Sequence, residues 1–318
     1  MKKSILIATS AIVALASCTK EPSRIAPTPE KLVSTELTVG ITSPQTKATA
    51  VSAENEVKSN NLQVFVFRGN ELDAYGTADN ATQITLSCTA GDREIYALVN
   101  APDYKAVSTK TELLAKVSQL SNNSIGSFEM IGSKSVTLPQ AGTVAVDVRR
   151  LAARVTIGKI NRNFTSPALA AQTFTVDKIY LINVAKDMNY GLTQTQPSGW
   201  FNLVSYKNEM AALSYDAPAA QITNASAYST KHMFYCYPNN ATAQTTRLVI
   251  ETTLGTNKYY YPIDLPAISS NHSYDIAEVT ITRPGSDDPN IPVSFSDMTV
   301  SINVVDWVAV PVTEGTTI

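Results

Sequence analysis

Among the residues able to do chemistry, Cys18 has the most informative setting. It closes Leu15-Ala16-Ser17-Cys18, after a short positive start (Met1-Lys2-Lys3) and a nearly continuous apolar stretch from Ile5 to Ala16. That stretch is shorter than the ~20 residues of a membrane-spanning helix, so it reads as a signal peptide. Small residues and a Cys at its end resemble a bacterial lipobox. Cleavage before Cys18 then leaves a thiol that carries covalent lipid, whose buried methylenes anchor at about 0.8 kcal/mol each. Other reactive groups are sparse. His272 stands beside Tyr274 and Asp275 without a Ser or Cys nucleophile motif, and reads as a structural hydrogen-bonding residue. His232 has Cys236 nearby but lacks the further ligands zinc needs. Asp287 and Asp288 fall short of the six or more oxygens calcium takes, and read as a turn. Tyr259-Tyr260-Tyr261, with Tyr235 and Tyr237, could stack on sugars, but aromatics at strand spacing are read as packing or interdomain contacts. Arg149, Arg150 and Arg154 are assigned to the interdomain surface. Cys88 and Cys236, far apart in the chain, read as buried thiols rather than a disulfide. No nucleophile, acid–base pair or metal cluster emerges, so the sequence argues against an enzyme and calls for no cofactor beyond the lipid on Cys18.

Composition narrows the classes further. The chain has 318 residues, 25 Lys+Arg against 27 Asp+Glu, and 2 His. A net charge of −2 without a long basic run argues against a nucleic-acid partner, because phosphate binding needs clustered cations. Charged residues make up 16%, below the ~25% of an average domain, while 44% are hydrophobic. Two domains, each with its own core, are expected at this length.

The elements that would position these residues are mostly strands. Thr19 to Lys31 carries three Pro and few apolar groups and reads as a flexible tether. Val33, Leu37, Val39 and Ile41 then alternate with polar neighbours, the two-residue period of a half-buried strand. Thr42 to Thr49 is small, polar and Pro-bearing, an exposed loop. Leu62–Phe67 is apolar on both faces and reads as a central strand. Ile84–Cys88, Ile95–Val99, Val136–Leu138 and Val144–Val148 are further strands. Thr109 with Glu112 fits a capping box, and Leu113, Leu114, Val117 and Leu120 form an apolar face at helical spacing. A new set of strands begins at Leu151 and continues with Phe174–Val184, Lys231–Tyr237, Arg247–Thr253, Lys258–Ile263 and Tyr274–Thr282. Many short strands with few helices predict two β-sandwich domains divided near Arg150.

The C-terminal segment is unusual. After the turn-forming run from Arg283 to Asn290, the even positions read Met298, Val300, Ile302, Val304, Asp306, Val308, Val310 and Val312, all apolar but one. Fully extended, the stretch would reach about 50 Å at ~3.3 Å per residue, beyond the usual strand of about 5–6 residues. Two explanations stand. The segment folds back near Asp306-Trp307, or part of it pairs with another molecule by strand addition; both can hold in different states.

Taken in order, these pieces resemble the FimA-type major fimbrillins of Bacteroidetes, the subunits of type V pili. The resemblance rests on the lipobox with Cys18, Asn61–Phe67, Thr89-Ala90-Gly91-Asp92-Arg93 before Ile95–Asn100, and Arg150–Val155. It rests most on Asn271-His272-Ser273-Tyr274-Asp275-Ile276 followed by Thr280-Ile281-Thr282, Pro284-Gly285 and Asp287-Asp288-Pro289, with the ending Val300–Trp307. It implies a mainly β fold of two β-sandwich (transthyretin-like) domains with one or few short helices. It also implies a surface subunit that reaches the outer membrane as a lipoprotein precursor and ends in an extracellular fimbrium. A trypsin-like protease removes the first strand, and the C-terminal strand of a neighbouring subunit fills the vacated groove. Such a subunit assembles head to tail with other fimbrial subunits and with anchor and tip proteins. The family commonly cuts after an Arg; here the corresponding position is Lys47, before Ala48. The expected divisions are a signal peptide (1–17), a lipidated propeptide with the first strand (18–47), sandwich domains (48–150 and 151–290) and a donor arm (291–318). Alternatives are an accessory or tip fimbrial subunit, or a monomeric glycan-binding surface lipoprotein that retains residues 19–47.

Overall fold

The computed structural model describes residues 33–42, 50–51, 56–293 and 298–308. Cys18, Lys47, Ala48, Val310 and Val312 lie outside the described residues. In chain order the first strands are β1 (Ser34–Thr42), β2 (Ala50–Val51), β3 (Asn61–Arg68), β4 (Glu71–Asp79), β5 (Gln83–Thr89), β6 (Gly91–Val99), β7 (Val117–Gln119), β8 (Met130–Leu138), β9 (Thr143–Asp147) and β10 (Arg149–Arg150). There follow β11 (Ala153–Arg162), β12 (Phe174–Ile182), β13 (Val184–Ala185), β14 (Asp187–Asn189), β15 (Trp200–Phe201), β16 (Ser214–Gln221), β17 (Ala227–Tyr228), β18 (His232–Cys236), β19 (Arg247–Leu254), β20 (Asn257–Asp264), β21 (His272–Ile281) and β22 (Met298–Val308). Two short helices, α1 (Lys110–Ala115) and α2 (Pro167–Ala170), interrupt them. The fold is mainly β, as expected.

Two sheets arise from the first part of the chain. One has the order β10-β8-β6-β3-β4 and the other β5-β1-β9. The both-face hydrophobicity of Leu62–Phe67 has its reason here. Leu62, Val64 and Val66 pack under the β1 sheet with Leu37, Val39, Ile95, Val144 and Val146. Phe65 and Phe67 face the other way, into a cluster with Leu98, Leu113 and the second part's core. Successive side chains alternate sides, so one central strand serves two cores.

The second part builds the order β17-β11-β21-β22-β2, with β18 also on β11, and the order β16-β12-β19-β20. Crossing from one pair of sheets to the other takes place between Arg150 and Ala153. Val51, although early in the chain, belongs to a strand of the second set. Strands β7 and β14 pair across the two parts. Beside them Tyr237 is buried, bonded to Ser118 and accepting from Asn123 Nδ2 at 2.7 Å.

The helix reading needs correction. The Thr109 hydroxyl accepts from Glu112 N, as a cap should, but α1 ends at Ala115. Of the apolar face, Leu113 is buried within α1; Val117 belongs to β7 and is exposed, and Leu120 is buried in a separate turn. The pairing of β7 with β14 overrides the helical period there.

Candidate functional site

Strand β1 is the middle of its sheet. It pairs antiparallel with β5, Ser34 opposite Thr89 through Gly40 opposite Gln83. On its other edge it pairs parallel with β9, Thr38 opposite Thr143 through Thr42 opposite Asp147. Between them β5 and β9 have no ladder of their own. With strands about 4.8 Å apart, the space held by β1 is a slot about 9.6 Å wide between β5 and β9. Inside it Leu37 is 2% and Val39 0% exposed. Outward, Thr38 shares a hydroxyl bond with Thr85 at 2.8 Å. The sequence places Lys47 five residues beyond the end of this strand.

Strand β22 carries the candidate donor residues from Met298 to Val308. It pairs antiparallel with β21, Ile281 opposite Met298 to His272 opposite Asp306, with an irregularity between Ile276 and Val279. The fold-back considered near Asp306-Trp307 does not occur there: β22 runs unbroken to Val308. Its other edge meets β2 at Trp307 and Val308 alone among the described residues. Met298 is buried, Val300 and Ile302 are half-buried, and Val304 is 44% exposed. Met298, Val300 and Ile302 line a groove of about 330 Å³ with Pro262, Ile263 and Val293. The even face therefore covers the second core where the strand starts and emerges from it by Val304. The alternation predicted from the sequence is present as a strand, but its burial is graded.

Burial changes sides at Trp307, which is fully buried. The Arg150 guanidinium lies over its ring at 4.2 Å and that of Arg154 at 5.3 Å. Tyr235 stacks on it at 5.5 Å and Phe128 meets it edge-on at 5.3 Å. Its Nε1–H donates to Glu56 Oε2 at 2.9 Å. Glu56 is fully buried as well; it pairs with Arg154 Nη1 at 3.2 Å and accepts from the Tyr235 hydroxyl at 2.8 Å. Arg150 Nε donates to the Glu56 carbonyl and Nη1 to the Trp307 carbonyl, both at 2.9 Å. Asn271, in the left-handed conformation that Asn tolerates, accepts the Trp307 N–H on its carbonyl at 2.8 Å. Burial lowers the Arg150 pKa to about 10, with Glu56 opposing. Burial also pushes the Tyr235 hydroxyl up, with Glu56 acting the same way.

Of the three arginines assigned to the interdomain surface, Arg150 and Arg154 are buried around Trp307 and Glu56, while Arg149 lines a separate surface groove. Glu56 was missed, because it follows a polar stretch without periodicity. Its signal is nothing more than a carboxylate near the start of the first long buried strand. His272 Nδ1 lies 2.8 Å from the Ser270 carbonyl, and His232 Nε2 lies 2.6 Å from the Tyr228 hydroxyl. Asp288 accepts from Asn290 N in a turn. Cys88 and Cys236 are buried free thiols, and burial pushes Cys236 up to about 12. Among the described residues, no group of His, Cys, Asp and Glu could hold a metal ion, and no helix is long and apolar enough to cross a membrane.

Comparison with known proteins agrees with this architecture. The family model of the major fimbrial subunit protein (FimA) matches residues 34–145. The major fimbrium subunit FimC of Porphyromonas gingivalis is 24% identical over 92% of this chain, and the chain spans 66% of that relative's length. A solved putative cell adhesion protein from Bacteroides eggerthii superposes with a TM-score of 0.69 at 22% identity, covering 86% of this chain and 96% of that one. A solved fimbrilin from Porphyromonas gingivalis gives 0.65 at 16%, covering 86% and 98%. The matched stretch, residues 34–145, begins at β1 and takes in β5 and the start of β9, so the resemblance to the major fimbrial subunit protein (FimA) falls on the slot described above.

Proposed function

We propose that this chain is a structural subunit of a cell-surface fimbria that polymerises by donor-strand exchange. The observation that carries the reading is the central position of β1: taking it out opens a slot flanked by two strand edges and floored by apolar side chains. An alternating strand from another copy would restore both ladders, and β22 with the residues after it has that pattern. In this reading Cys18 carries the lipid of an outer-membrane precursor. Cleavage between Lys47 and Ala48 frees β1, and Met298, Val300, Ile302, Val304, Val308, Val310 and Val312 supply the replacement. The sandwich domains span 48–150 and 151–290, and the arm 291–318. Other fimbrial subunits, including anchor and tip proteins, are the partners, with a trypsin-like protease acting on the precursor. A head-to-tail contact of this kind does not close on itself, so it extends into a fibre.

Limited trypsin treatment of the purified chain tests the proposal. Filaments should form whose subunits begin at Ala48, and a chain lacking residues 297–318 should stay monomeric. Filaments from both chains would remove the arm from the mechanism, and a mature start at Cys18 would remove the cut.

A further inference from the structure

Strand pairing alone does not account for how β22 is held on its own subunit. Glu56 accepts hydrogen bonds from side chains of three separate strands: Tyr235 on β18, Arg154 on β11 and the Trp307 indole on β22. Its carbonyl takes a fourth, from Arg150, whose other arm reaches the Trp307 carbonyl. For β22 to leave, the indole must give up a buried carboxylate and the two guanidiniums that lie over its ring. A carboxylate–guanidinium pair in apolar surroundings is then left without that partner, which is costly. Three residues before that contact ends, β22 exposes Val304, so the hold is concentrated at Trp307.

We propose that Glu56 is the keeper of a latch, and that this latch sets how readily the C-terminal strand is given up. Its consequence for assembly rests on the donor-strand reading above; its geometry does not. Chain order adds a coupling. Lys47 lies between β1 and β2, and β2 pairs with Trp307 and Val308. Before cleavage the stretch carrying β2 and Glu56 is tied at its upstream end to β1, which is locked in the first sandwich. After cleavage it has a free end, and a two-residue ladder at a chain end frays readily. One cut therefore opens the acceptor slot and weakens the hold on the arm.

Deuterium uptake of the 298–308 peptide reads the latch without filaments. In the uncut chain Glu56→Gln should speed that uptake about tenfold or more, the scale of weakening a hydrogen bond to a charged group. In a Trp200→Phe background, where Trp307 is the remaining indole, its emission should shift to the red. Peptides of β12 and β19 serve as controls and should keep their protection. Tyr235→Phe keeps the ring on Trp307 and removes one bond to Glu56, so it should act in the same direction by less. It decides the matter if Glu56→Gln also loses β12 and β19 protection. Unchanged uptake at 298–308 in a folded Glu56→Gln chain and in Tyr235→Phe overturns the latch. Faster uptake in both, with filament growth after cleavage unaltered, upholds the latch and overturns the donor role of the arm.

Discussion

Leu37 offers the sharpest test of the slot. It is 2% exposed on the inward face of β1, packed in the core of the first sandwich. Truncating a buried Leu to Ala typically costs about 2–5 kcal/mol, from lost transfer energy plus the cavity left behind. In a chain cut at Lys47, β1 would be held only by non-covalent contacts, so this cost would fall directly on its retention. At ~1.4 kcal/mol per tenfold, the strand should dissociate about thirty-fold to several-thousand-fold more readily. Thr38 is the matched control. It sits next in sequence on the outward face, where its hydroxyl bond to Thr85 is worth about 0.5–1.5 kcal/mol at most. The assay is retention of the Ser34–Thr42 fragment. Trypsin-cut Leu37→Ala and Thr38→Ala chains are passed over a sizing column, and the fragment still bound is measured by intact mass, with filament growth followed by light scattering. Leu37→Ala should lose the fragment first and assemble with the shorter lag. Equal retention in both variants would refute the claim that β1 is held by its inward face.

Trp307→Ala should lower the stability of the uncut chain by about 3–5 kcal/mol, read as a fall in the urea midpoint, because a fully buried indole is replaced by a cavity between Arg150 and Phe128. Asp73 accepts from Thr89 and Arg93; burial alone would raise its pKa, but these bonds outweigh it and hold it below the ordinary 3.8. A depressed carboxylate stabilises above its unfolded pKa and loses that contribution as pH falls through the folded one. Asp73→Asn should therefore be less stable than the parent at pH 6, and the gap should narrow below about pH 4. Glu129 shows the opposite sign: burial raises it above 4.5, against the Tyr190 hydroxyl that donates to it. Its contribution is complete below its unfolded pKa and is lost as pH rises through the raised folded value. The melting temperature of Glu129→Gln should thus gain on the parent as pH climbs from 4.5, and a constant difference would contradict this.

Much of the fold was legible because strands write their faces locally. The period of Leu37, Val39 and Ile41 gives β1, and the two-sided run Leu62–Phe67 gives the strand that serves two cores. Other strands left no such trace. Edge strands β4 and β16 are mostly small and polar residues, with Pro218 in β16, where a missing N–H is tolerated at an edge. The short α1 failed the periodicity because Val117 was taken into a ladder with β14.

By itself, then, the sequence determined where the strands with apolar faces lie, which of those faces are apolar, and that the C-terminal stretch alternates for longer than one strand needs. Only the tertiary structure decided the partners. It put β1 between β5 and β9, laid β22 along β21, and brought Glu56 under Trp307 across 251 positions of chain. The reason is physical. Alternation is a property of neighbouring residues, whereas a ladder partner or a buried carboxylate's donors are chosen by everything that folds around them.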